Sequence, residues 1–249
     1  MRGRGLIGIV SGLGPLAGSD VLEKALVYAS EAYGAVDDAD YPDVVLFSHG
    51  IESFDATGSV ERGFTDELVR VVQEIELHHP TVLGIACNTA HLRIDELRAQ
   101  THAVVVNLIE ATAEAASRFD HRYLLLSSST TRRTHLYHRA LEERGVRFAD
   151  VDDAVQLEVD EVVHAVMAHS LDVAGTHIQD IVMNCGIEFD AIIAACTELP
   201  IAFDHSNVVR SIPVIDSNRV LAHALVDTYF AVPRRAHTLA VATSGKDSR

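Results

Sequence analysis

The sequence predicts an α/β protein made of two similar halves. Each is a doubly wound parallel sheet, and the two are related by a pseudo-dyad with a site in the cleft between them. Three observations carry this expectation. Short continuous apolar runs alternate with amphipathic helical patterns from end to end, as in a parallel sheet covered on both faces. The alternation restarts near residue 122. Cys87 and Cys196 each end an apolar run, at matched distances from the next one.

In chain order, LIGIV (6–10) reads as a strand entering the glycine turn SGLGP, followed by a helix over about 17–33. DVVLFS (43–48) is the second strand. Phe64, Leu68, Val71, Val72 and Ile75 then recur at helical spacing within 61–78. TVLGIA (81–86) is a third strand, with a helix from about Thr89 to Gln100, and AVVVNLI (103–109) is a fourth. The second half opens with RYLLLSSS (122–129), a strand ending in a hydroxyl-rich turn, and a helix to about residue 144. A short strand at 146–149, helical patterns over 158–185, the strands DAIIAAC (190–196) and SIPVIDS (211–217), and a final helix complete it.

The halves match in detail. Asn107 lies 20 residues after Cys87, and Asp216 lies 20 residues after Cys196. Each half also opens on a strand running into small residues, SGLGP at 11–15 and SSSTT at 127–131. An internal duplication is the economical explanation. Strand carboxyl ends form the ligand crevice in open α/β sheets, which would set the two cysteines facing each other across one cleft.

The formal charge of −16 argues against nucleic acid or an anionic membrane as partner. No apolar stretch approaches the roughly 18 residues of a membrane helix. Three cysteines in 249 residues do not make a disulfide framework, and a reducing cytoplasmic setting is the default. Cys185, before Gly186, reads as a buried spectator. Cys87 and Cys196 each sit where a helix or turn begins, where backbone N–H groups and the helix dipole would favour thiolate. Zinc is the rival reading, since His91 lies one helical turn beyond Cys87. Structural zinc sites draw on close cysteine pairs, none exists here, and no metal is expected. Two opposed thiols suit inversion of a carbon acid. One takes a proton from one face and the other returns one to the opposite face, with no metal or pyridoxal cofactor.

CNTAH (87–91) and CTELP (196–200), with SGLGP (11–15) and IPVID (212–216), resemble the aspartate/glutamate racemase superfamily. The resemblance runs to about residue 230 and rests on both motifs in the right order. It implies Cys87 and Cys196 as the acid/base pair of a cofactor-independent amino-acid racemase. Asn88, Thr89, Thr197, Glu198 and Thr131 would line the substrate, with Ser11 and Gly12 in the first turn. The expected partners are a small amino-acid-like substrate and a second copy of the chain. The expected domains are 1–107 with 213–232, then 108–212, with 233–249 a frayed tail.

Aspartate-specific members look to hold the distal carboxylate with an arginine and a lysine. Here the ungapped positions carry Asp55 and Leu171, with Arg62 or Arg132 as possible substitutes. The sequence therefore supports racemase chemistry but not an aspartate substrate. Related scaffolds isomerise maleate, racemise hydantoins or decarboxylate arylmalonates, and two retained cysteines favour two-sided proton transfer. GLGPLAG (12–18) also resembles a dinucleotide loop. The second strand ends in Ser48 and His49 without the acidic ribose partner, which weakens that alternative. A catalytically silent binding module is the remaining alternative.

Overall fold

A computed structural model describes residues 5–51, 62–208 and 211–231. Two four-stranded parallel sheets run through it. The first comprises β1 (Leu6–Ser11), β2 (Asp43–Ser48), β3 (Val82–Ile85) and β4 (Val104–Val105), in the order β2-β1-β3-β4. The second comprises β5 (Arg122–Ser127), β6 (Arg147–Asp150), β7 (Ala191–Ala195) and β8 (Val214–Asp216), in the order β6-β5-β7-β8. The orders are equivalent strand for strand, as a duplication requires.

Strands in such a sheet are buried on both faces, so their side chains alternate between two cores. Ile7 and Ile9 of β1 pack against α1 (Ala17–Tyr33), whereas Val10 packs with α2 (Arg62–Glu76) through Phe64, Leu68 and Ile75. In the second half Leu124, Ile192 and Ala194 share a core with α7 (Asp153–Met167), α8 (Leu171–Asn184) and α9 (Leu199–Asp204). Short α3 (Ile94–Arg98), α5 (Ser129–Arg133) and α6 (His138–Glu142) fill the connections.

The last helix of each half crosses to the other. α4 (Leu108–Ser117) follows β4 of the first sheet, yet Ile109, Ala113 and Ala116 pack on Tyr123, Leu125 and Ile193 of the second. α10 (Ser217–Ala231) follows β8 of the second sheet, yet Leu221, Leu225 and Val226 pack on Ile7, Ile9 and Val82 of the first. A fully buried leucine or isoleucine contributes roughly 2 kcal/mol, so this exchange locks the halves together. Within 213–232 the helix covers the first sheet and the short strand β8 pairs with β7 of the second.

Some boundaries shift for local reasons. Asn107 is not in a strand: its Oδ1 accepts from the N–H groups of Ile109 and Glu110 and caps α4, leaving β4 only two residues. Asp216 does the same for α10, accepting from Arg219 N–H at 3.0 Å. The matched spacing thus marks equivalent helix caps. The helix expected from Thr89 splits into a 3-10 turn over Thr89–Arg93 and then α3. No described helix is long and apolar enough to cross a membrane. The tail 233–249 lies outside the described residues.

Candidate active site

In a sheet ordered 2-1-3-4 the connections leave in opposite directions from strands 1 and 3, opening a crevice at their carboxyl ends. The first half puts SGLGP and Cys87 there, and the second puts Ser128–Thr131 and Cys196 there. Hydrogen bonds show that the two crevices face each other. Thr89 Oγ1 lies 3.0 Å from Thr131 Oγ1 and 3.5 Å from Ser128 Oγ. The Tyr137 hydroxyl, from the second half, donates to Asn88 Oδ1 of the first. Glu198 reaches the other way, onto the first glycine turn. A Cβ on Gly14 would stand 1.7 Å from its Oε1, and Gly14 adopts φ +119°. Gly12, at φ +101°, lies against the His49 backbone, where a Cβ would be 2.0 Å from the carbonyl oxygen. Both positions require glycine.

The pseudo-dyad equates Thr89 with Glu198, each two residues after its cysteine and each touching the opposite half. Chemically they differ. Cys196 Sγ donates to Glu198 Oε2 at 3.0 Å, and the Thr197 hydroxyl donates to the same oxygen at 3.1 Å. Glu198 Oε1 has no hydrogen-bond partner among the described residues. Cys87 has no such carboxylate beside it in sequence. Its sulfur receives the backbone N–H groups of Ala90 and Thr89.

Both thiols are buried, Cys87 6% and Cys196 9% exposed. Burial pushes Cys87 from an ordinary 9.0 up to about 12, outweighing the two N–H groups, with the Glu198 charge adding to the rise. Cys196 is raised well above 9.0 by burial, then by the charge and hydrogen bond of Glu198, and further by Cys87. A charge on Cys87 thus acts on Cys196 from across the cleft. Burial also raises Glu198, against the hydrogen bonds from Cys196 and Thr197. The sequence expectation of thiolates favoured by turn N–H groups is therefore reversed. Desolvation costs more than those groups return.

His91 supports the Cys87 turn from behind. Its Nδ1 donates to the Cys87 carbonyl at 2.9 Å, and its Nε2 accepts from Leu108 N–H at 3.1 Å. Both ring nitrogens are thereby committed to backbone, which removes the support for a zinc pair with Cys87. Burial lowers its pKa from 6.5 to about 4. An unfolded chain takes up this proton first as pH falls. The group's contribution, on the order of 3 kcal/mol, is complete above pH 6.5 and is lost as pH falls towards 4. We expect a ¹⁵N NMR titration to find the His91 ring neutral, with the proton on Nδ1, down to about pH 4. Protonation near pH 6.5 would contradict this arrangement.

A family model described as Asp/Glu/Hydantoin racemase matches residues 10–225. The chain belongs to this family. It is 27% identical over 235 residues to the broad specificity amino-acid racemase RacX of Bacillus subtilis (strain 168), covering 91% of this chain and 99% of that one. Among solved structures, the Picrophilus torridus aspartate racemase superposes with a TM-score of 0.78 at 26% identity, covering 93% of this chain and 96% of that chain. Glutamate racemase from Campylobacter jejuni subsp. jejuni shares the fold, with a TM-score of 0.61 at 19% identity and coverage of 89% and 85%.

Within this racemase-family fold, Cys87, Asn88, Thr89, Thr131, Cys196, Thr197 and Glu198 come together at the junction of the halves. Ser11 ends β1 buried, its side chain packed against Gly18 of α1. Asp55 lies outside the described residues. Leu171 opens α8 and packs on the second-half core. Arg132 is paired with Asp153 at 2.8 Å. Sequence reasoning did not single out Tyr137, Ser128 or Asn218. Ser128 lay within the SSSTT run, but nothing local marks the other two, which act through partners distant in sequence.

Proposed function

We propose that this family member is a cofactor-independent amino-acid racemase in which Cys87 and Cys196 serve the two faces of the α-carbon. The observation that carries this reading is the placement of one thiol at each of two equivalent crevices that hydrogen-bond across to one another. In one direction the Cys196 proton passes to Glu198, and the thiolate removes the α-proton. Cys87 then breaks its S–H bond to protonate the opposite face, leaving a Cys87 thiolate. The reverse direction exchanges the roles, and solvent resets the pair. Thr89, Thr131 and Asn88 supply neutral donors for the substrate carboxylate, and Glu198 Oε1 faces the ammonium. Ser11 and Gly12 contribute the backbone of the first turn, and Thr197 keeps Glu198 on the thiol.

The preferred side chain is uncharged or cationic, in keeping with a Bacillus relative named for broad specificity. Arg132 is already engaged by Asp153, and Leu171 brings no charge to pair with an anion. In this reading the chain forms two domains, 1–107 with 213–232 and 108–212, supported by the packing of α10 on the first sheet and α4 on the second. The working form in this reading is a cytoplasmic homodimer. The test is incubation of single-enantiomer aspartate, glutamate, serine, ornithine and lysine in D₂O. Inversion with α-deuterium, faster for the last three and unaffected by a chelator, is expected. Wide preference for aspartate would overturn the specificity, and zinc-restored activity would overturn the cofactor-free chemistry.

A further inference from the structure

The Cys196 turn is tied down by a device that the Cys87 turn lacks. Asn218, fully buried near the start of α10, uses its side-chain nitrogen twice. It donates to the Thr197 carbonyl at 2.8 Å and to Asp20 Oδ2 at 2.6 Å. Asp20 also receives Lys24 Nζ at 2.7 Å, and Lys24 reaches Asp216 Oδ2 at 2.8 Å and Asp204 at 3.7 Å. Lys24 and Asp20 belong to α1 of the first half, and Asp216 ends β8 of the second. The cluster is therefore a charged strut between the halves, and Asn218 is its contact with the peptide that carries Glu198. At the position the pseudo-dyad equates with Asn218, α4 carries Ile109, and there His91 does the bracing instead.

We propose that Asn218, anchored by Asp20 and Lys24, is a positioning residue that holds the Glu198 carboxylate on the Cys196 thiol. The Thr197 carbonyl belongs to the peptide joining Thr197 to Glu198. Fixing it sets the backbone from which Glu198 reaches back to Sγ. Asp20 accepts from both Asn218 and Lys24, so the amide is oriented by a charged acceptor, a stronger bond than one between neutral groups. Lys24 stands between Asp20 and Asp216, whose charges otherwise repel. The strut bonds directly to the Cys196 turn, through the Thr197 carbonyl.

This inference rests on the racemase reading for its purpose but not for its test. Iodoacetamide labelling of both thiols, followed peptide by peptide by mass spectrometry across pH, reads the two turns separately in one sample. Releasing Glu198 removes a charge and a hydrogen bond that hold the Cys196 thiol up. In Asn218→Ala we expect Cys196 to label about tenfold faster at pH 8, equivalent to about one pH unit in its midpoint, with Cys87 changed by less than about twofold. Asp20→Ala gives the same one-sided change if Asn218→Ala fails to fold. Glu198→Gln moves Cys196 in the same direction. Equal acceleration at both cysteines, no change at either, or slower labelling of Cys196 would overturn the proposal. Failure of the wild type to racemise would remove the functional reading and leave the labelling result standing.

Discussion

Cys87→Ala and Cys196→Ala should each lower racemisation by roughly 10³-fold, within the usual contribution of a positioned acid or base. In the proposed mechanism each variant removes the proton carrier for one face, and inversion needs both. The loss should appear in kcat more than in KM, because the groups proposed to line the substrate, Thr89, Thr131 and Asn88, stay where they are. Each cysteine occupies a small buried position, so the fold should tolerate alanine with a cost of about 1 kcal/mol, or roughly 2–4 °C in Tm. Thermal unfolding of both variants checks that the loss is chemical. A variant that retains most of the wild-type rate would remove its cysteine from the mechanism.

Gly14→Ala is expected to damage stability and chemistry together. At φ +119° an alanine backbone is strained by about 1–3 kcal/mol, which lowers Tm by roughly 2–12 °C in a chain of this size. Its methyl group would also stand where Glu198 Oε1 lies, 1.7 Å away. The side chain that must move is the one holding the Cys196 thiol. We expect a fall of about 100-fold in racemisation, together with faster alkylation of Cys196 than of Cys87. Circular dichroism melts and enantiomer-resolved rates measure the two parts. A variant with wild-type Tm and wild-type rate would mean that the first turn does not support Glu198 as described.

Much of this architecture was legible because parallel strands buried on both faces leave continuous apolar runs. LIGIV, DVVLFS, RYLLLS and AIIAA all sit in strands within a residue or two of where the sequence puts them. The cysteine positions followed from the same runs, since each lies within two residues after the third strand of its half. AVVVNLI misled for the same reason, because one apolar run spans a two-residue strand and the first turn of a helix, with a capping asparagine between them. That β8, within 213–232, pairs with the second sheet while the helix after it covers the first was not legible, as an apolar run does not say which strand it joins. The thiol electrostatics were misjudged because a local motif displays its N–H groups but not its burial. Tyr137 and Asn218 are ordinary residues in sequence. They become part of the site only through Asn88, Thr197 and Asp20, which lie in other elements.

Each thiol is proposed to serve one face of the α-carbon. This is tested most directly by incubating Cys87→Ala and Cys196→Ala separately with each enantiomer of the best substrate in D₂O. Each variant is expected to exchange the α-proton of one enantiomer only, without inversion, and the two variants to choose opposite enantiomers. Exchange of the same enantiomer by both variants, or racemisation by either at the wild-type rate, would contradict this assignment.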